Sequence, residues 1–168
     1  MKTSENGLNL IKHYESIHDG DLSQMGLQPK QDPAGIWTAG WGHALKDPSG
    51  KWITEFSDIK KYHPEFLNID ELFADALLQE DVKYVEDWLN AQEELIQNEF
   101  DALVSFAFNC GIGALSGSTL WKRVRACSES DLIAEAFLMW NKAGGKVLNG
   151  LTNRRRTEAM LYNNCLII

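Results

Sequence analysis

No window of this sequence holds an apolar run of the ~20 residues that a membrane-spanning helix requires. The opening residues, MKTSENGLNLIKHYE, also lack the continuous apolar stretch of a signal sequence. Neither a signal peptide nor a membrane anchor is expected. Cysteine is scarce: Cys110, Cys127 and Cys165 are odd in number, widely spaced and without a CxxC pair. That excludes a disulfide framework and a zinc site of ordinary spacing, and predicts reduced thiols, with Cys110 in the core behind VSFAFN. Positive charge is in short supply as well. Sixteen Lys and Arg face 24 Asp and Glu, giving a net charge of −8, which argues against a nucleic-acid partner. The imbalance is local. Residues 61–100 carry 11 acidic and 2 basic side chains, whereas residues 101–168 carry 8 basic and 5 acidic ones. The mildly basic last third reads as a solvated helix face.

Several chemistries are excluded by missing motifs. There is no GxSxG, no P-loop and no GxGxxG, and His13, His18, His43 and His63 lack ligand spacing such as HExxH. DGDLSQMGLQPK starts like a calcium loop at Asp19, Asp21 and Ser23. However, Gln24 stands where glycine is needed and Lys30 where the bidentate glutamate is needed. No metal and no cofactor is expected.

What is present is a chain of 168 residues with 44% apolar and 24% charged side chains, enough for one core-forming domain. Leu8, Ile11, Tyr14 and Ile17 recur at helical spacing, with Thr3 or Ser4 as N-cap. Residues 18–31 have no period and read as an irregular loop. GIWTAGWGHA and KWIT, joined through DPSG, alternate like strands of a small hairpin or meander. Ile69 to Leu89 repeats apolar residues over 21 positions, a helix of ~30 Å. Leu95 to Asn109 reads as a buried helix stopped by CGIG. Three shorter helices follow, capped by Ser118, by Ser128 or Ser130, and by Thr152, with AGGKVLNG as a loop between the last two.

One stretch concentrates functional chemistry. DPAGIWTAGWGHAL, residues 32–45, places Asp32, Thr38, His43, Trp37 and Trp41 on a Gly-rich turn shortly after Glu15, the last residue of the first helix. A carboxylic acid shielded by Tyr14 and Ile17 keeps its proton longer, as a general acid must. A carboxylate and a hydroxyl six residues apart on one turn can hold and orient a water. Each residue also has a plainer reading on local sequence: a surface glutamate, an ordinary Asp-Pro turn, and a structural His43 paired with an acid of the long helix such as Asp81.

Glu15, Asp32, Thr38, Gly40, Gly42 and His43 resemble the active-site region of the phage-type lysozymes, the endolysins or muramidases of glycoside hydrolase family 24. LLQEDV, NEFDALVSFAFNCGIGALSGSTL and FLMWNKAGGKVLNGLTNRRRTEAMLY resemble the family's long helix, central hydrophobic helix and C-terminal signature, in order. The resemblance covers about residues 4 to 163. It implies an α+β, mostly α, lysozyme-like fold in a single domain over 1–168. A small β-hairpin lobe (about 14–66) is joined by a long helix (about 69–90) to a helical lobe (about 91–163, plus the N-terminal helix).

The same resemblance implies cleavage of the β-1,4 bond between N-acetylmuramic acid and N-acetylglucosamine in peptidoglycan. Glu15 would be the general acid, with Asp32 and Thr38 placing the attacking water. Trp37, Trp41, Asn109 and Ser118 are candidate sugar contacts. The protein would act as a monomer on a glycan strand, made in the host cytoplasm and released to peptidoglycan through a holin. Two alternatives stay open: a lytic transglycosylase, which needs only one acid/base, and a catalytically silent peptidoglycan-binding module. Three departures from the family pattern stand out: Ser16 after the glutamate instead of Gly, Ala39 after the threonine instead of Ile, and a longer stretch between Glu15 and Asp32.

Overall fold

The computed structural model describes residues 1–92 and 94–164; Cys165 lies outside the described residues. Within them the chain runs through eight α-helices and five short strands: α1 (Glu5–Glu15), β1 (Lys30–Gln31), β2 (Trp37–Ala39), β3 (His43–Ala44), α2 (Phe56–Tyr62), a 3-10 turn (Pro64–Leu67), α3 (Glu71–Asn90), α4 (Gln97–Cys110), α5 (Ile112–Gly117), α6 (Thr119–Arg125), α7 (Ser130–Leu138), β4 (Lys142–Ala143), β5 (Lys146–Val147) and α8 (Asn149–Tyr162). The architecture is the mostly helical α+β class with a small antiparallel sheet. The chain divides into two compact units, one of residues 15–81 and one of residues 1–14 with 82–168, so that the division falls inside α3.

In the unit of residues 15–81 the sheet order is β1-β2-β3, both pairs antiparallel, with Lys30 opposite Thr38 and Ala39 opposite His43. Two isolated bridges extend it, His18 to Gly40 and Leu27 to Ile69. The segment 18–31 is largely irregular, as its composition predicts, but it is stitched to other elements at His18, at Leu27 and through β1. It is also closed from within. Gly20 donates to the Gln28 carbonyl, and the Gln28 side chain accepts from Asp21 N and donates to Gly26 O. KWIT does not form a named strand; only Trp52 bridges, to Lys46. The core of this unit gathers Ala39, Leu45, Ile53, Ile59, Phe66, Ile69 and Ala74. Its side chains come from elements too short to stand alone, so packing rather than propensity fixes them.

In the unit of residues 1–14 with 82–168, α4 is the centre. Phe100 through Ala107 are buried without interruption, the pattern of a helix enclosed on all sides. It packs chiefly on α8, which also carries α7. Phe106 meets Phe137 and Trp140 edge-on at 5.8 and 5.5 Å. Asp101 reaches back to the chain start: Ser4 N donates to it at 2.9 Å and the Ser4 hydroxyl donates to its second oxygen. Ser4 in turn caps α1, accepting from Gly7 N. A Cβ on Gly7 would lie 2.6 Å from Thr3 Cγ2 and 2.9 Å from Asp101 Cβ, so only glycine fits there.

The same unit buries charge. Arg155 and Glu158 are fully buried, and Arg154 nearly so. Glu158 Oε1 accepts from the Ser105 hydroxyl at 2.8 Å and from Arg155 Nη2 at 2.9 Å. Its Oε2 stands 2.8 Å from Arg155 Nε, an ion-pair distance without the alignment of a hydrogen bond. Burial pushes the Glu158 carboxyl above the usual carboxylate range, and the two guanidiniums pull it back. Cys110 is half-buried, not enclosed as its apolar run predicts. Its sulfur accepts from Arg155 Nη1, and burial still raises the thiol. Cys127 is exposed.

Caps differ from expectation at two helices. The residue before α7 is Glu129, with no side-chain cap, and α8 starts at Asn149 after Leu148. Thr152 sits inside α8, its hydroxyl spent on the Leu148 carbonyl. AGGKVLNG holds the β4-β5 hairpin, whose Gly144 and Gly145 both have positive φ, as a two-residue turn of this hand demands.

Candidate active site

Glu15 is the last residue of α1 and is half-buried. The helix ends there because Ser16 turns into the left-handed region, φ 50°. The Glu15 carboxylate comes to rest at Gly42, where an added Cβ would lie 3.9 Å from Oε2. Gly42 has φ 95°, a conformation that L side chains rarely adopt, so the sequence needs glycine there.

Asp32 opens the turn between β1 and β2. Its Oδ1 accepts from Ala34 N at 2.8 Å and Ile36 N at 2.9 Å, while Gly35 N donates to its carbonyl. The Asp-Pro turn read from the sequence forms, and its bonds fix the carboxylate rather than consume it: both backbone donors fall on one oxygen, leaving Oδ2 outside them. Thr38, in the middle of β2, is buried. Its hydroxyl donates to the Lys30 carbonyl at 3.0 Å and lies 2.7 Å from His18 Nδ1.

On sequence grounds His18 is only a histidine without metal-ligand spacing. In the structure it joins the other groups. Its backbone N–H donates to the Gly40 carbonyl at 2.7 Å, which sets its ring beside Thr38, two residues away on the same strand face. Burial and the Lys30 charge hold the imidazole below its usual range, while Glu15 and Asp32 draw it upward. The Lys30, Glu15 and Asp32 charges thus all act on the His18 ring. No local signal marks His18, because its partner is 20 residues distant in the chain.

His43 Nδ1 lies 2.8 Å from Asp81 Oδ1, with the ring stacked on Phe66 at 5.7 Å. The candidate sugar contacts fare differently. Trp41 donates its indole N–H to Asp75 at 2.7 Å and packs on the core. Trp37, adjacent to Thr38 on β2, turns to the opposite sheet face. Its indole donates to Thr54 O, its ring meets Phe56 at 5.1 Å, and it lines a hollow of about 460 Å³ with Lys30 and Gln31. Asn109 is exposed at the end of α4 and accepts from Arg155 Nη2 at 3.0 Å. Ser118 is a correction. It is buried, donates to the Leu115 carbonyl and accepts from Trp121 N, so it caps α6 and presents no hydroxyl to a sugar.

A mainly helical chain with a small antiparallel sheet has the lysozyme-like fold that the sequence resemblance implies. Comparison bears this out. A family model for phage lysozyme matches residues 22–158. The endolysin of Acyrthosiphon pisum secondary endosymbiont phage 1 is 36% identical over 170 residues, covering 98% of this chain and 99% of its own. The endolysin of Bacillus phage B103 is 35% identical over 164 residues, covering 96% of this chain and 54% of its own. Among solved structures, the endolysin from Escherichia coli O157:H7 phage FAHEc1 matches with a TM-score of 0.75 at 35% identity, covering 99% of this chain and 96% of that one. The chain belongs to the phage lysozyme family. It spans about half the length of the Bacillus phage endolysins it matches.

Proposed function

We propose that this protein is a muramidase that hydrolyses the β-1,4 bond between N-acetylmuramic acid and N-acetylglucosamine in peptidoglycan. What supports the reading is the Thr38 hydroxyl 2.7 Å from His18 Nδ1, a ring on which the Glu15 and Asp32 charges also act, with Glu15 seated against Gly42. Family membership supplies the substrate class.

Glycoside hydrolysis needs one carboxyl protonated and another ionised. Glu15, half-buried at a helix end, gives its proton to the glycosidic oxygen as the C1–O bond breaks. Water attacks C1, its oxygen forming the new bond. Asp32 takes the water's proton, and the Thr38 oxygen fixes the direction of approach. Two backbone N–H groups fix one Asp32 oxygen in place.

The test is release of reducing ends from purified peptidoglycan. Glu15→Gln is expected to abolish it while the unfolding free energy stays within about 0.5 kcal/mol of wild type. Retained release would remove Glu15 as the acid. Products bearing 1,6-anhydro ends would instead assign a lytic transglycosylase, which uses no water. We further propose that the protein works as a monomer and reaches peptidoglycan only after release through a holin. Among the described residues no helix is long and apolar enough to cross a membrane. Expression with and without a separate membrane-opening protein checks this, with lysis expected only when both are present.

A further inference from the structure

Thr38 has one hydroxyl proton and two neighbours at hydrogen-bond distance, the Lys30 carbonyl at 3.0 Å and His18 Nδ1 at 2.7 Å. A carbonyl oxygen can only accept. Both contacts are hydrogen bonds at once only if the threonine proton points to Lys30 O and His18 carries a proton on Nδ1. In the opposite arrangement, with Thr38 donating to a bare Nδ1, two oxygens face each other at 3.0 Å with no proton between them, next to a buried side chain. That arrangement is the costlier one.

We propose that His18 is a positioning residue of the catalytic site: its Nδ1–H, donated to Thr38 Oγ1, commits the threonine proton to the Lys30 carbonyl and leaves the hydroxyl oxygen as a one-way acceptor for the attacking water. This rests on the muramidase reading above and deepens it. With one lone pair taken by His18 and the proton taken by Lys30, one lone pair remains. A water bound there must donate a proton to Thr38, which turns its own lone pair elsewhere, as a nucleophile's must. The backbone makes the placement firm, since His18 N–H is tied to Gly40 O on the same strand as Thr38.

The ring's charge state follows the same logic. The charged groups facing it are Lys30, Glu15 and Asp32. Burial and Lys30 favour the neutral imidazole, which still donates from Nδ1. His18 thus orients the hydroxyl without adding a charge.

The test combines a spectroscopic readout of the whole protein with variants. The ¹⁵N shifts of the neutral His18 ring are expected to show an Nδ1–H, Nε2-bare tautomer; an Nε2–H tautomer would overturn the proposal without any mutation. In kinetics, His18→Phe keeps ring volume and removes the donor, and is expected to lower kcat about tenfold to a hundredfold with KM little changed. His18→Asn restores an N–H near the Nδ1 position and is expected to recover most of that loss. In a Thr38→Val background, His18→Phe should cost nothing further. Equal losses for Phe and Asn, or additive losses with Thr38→Val, would make His18 merely structural. Full activity of Thr38→Val alone would instead sink the role given to Thr38 in the underlying reading, so the two failures are distinguishable.

Discussion

His43 and Asp81 form a two-oxygen contact, Nδ1 lying 2.8 Å from Oδ1 and 3.0 Å from Oδ2, which ties β3 to the middle of α3. Both side chains are about one quarter exposed, so solvent screens the pair and its worth is moderate. Asp81→Ala is expected to destabilise the protein by about 1–2 kcal/mol, as for a partly screened bond to a charged group. Denaturant unfolding of this variant, of His43→Ala and of the double variant closes a cycle. Strict additivity would show that the contact contributes nothing.

Ser16 holds φ 50° without being glycine or asparagine. The left-handed conformation costs an L residue about 1–2 kcal/mol, partly offset by glycine's larger entropy loss on folding. Ser16→Gly is therefore expected to raise stability by up to about 1 kcal/mol, and Ser16→Val to lower it. Thermal unfolding of both decides the matter. An unchanged or lower midpoint for the glycine variant would mean that the turn is not strained.

Glu158 is shared by two buried guanidiniums. Removing it takes this buried counter-charge from both guanidiniums, so Glu158→Ala is expected to cost about 3–5 kcal/mol. Replacing Glu158 and Arg155 together by Leu and Met should cost less than the single change, because no unpaired charge is then left at Arg155. Equilibrium unfolding of the three proteins tests the order. A double variant worse than the single would place the energy in packing rather than in charge.

His18 gives stability a definite pH dependence. Burial and Lys30 depress its folded-state pKa below the ordinary imidazole value, about 6.5 in the unfolded chain. On acidification the unfolded chain takes the proton first. The contribution is complete above the unfolded value and is lost as pH falls through the folded one, so stability rises with pH in that window. Unfolding free energy measured from pH about 7.5 down to about 5 should fall less steeply in His18→Asn than in wild type. Parallel curves would mean that the ring titrates alike in both states.

The long elements were legible in the sequence because their signal is local. The apolar repeat from Ile69 to Leu89 falls on α3 to within two residues, and the stretch from Leu95 to Asn109 matches α4, Gln97–Cys110, buried without a break from Phe100 to Ala107. Ser118 announced a cap and is one, but the same hydroxyl read as a sugar contact is used up by that cap. Strand content was harder to read. KWIT alternates correctly yet forms no strand, although Trp52 bridges to Lys46 and Ile53 bonds to Leu45 and Trp37, while Lys30 and Gln31 pair with β2 despite lying in a polar stretch without period. In a two-residue strand the partner across the sheet decides, and periodicity has nothing to count. His18 shows the limit most clearly. It earns its place through an atom of Thr38 and a carbonyl of Gly40, neither of which its neighbours in sequence foretell.

Helix α1 belongs to a unit whose remaining residues start only at Val82, and its anchor, Ser4 on Asp101, spans 97 positions. During synthesis the first turn of the chain emerges long before its partner exists. The segment 15–81 can complete its own packing while residues 1–14 still wait, so vectorial production imposes an order that refolding from denaturant does not.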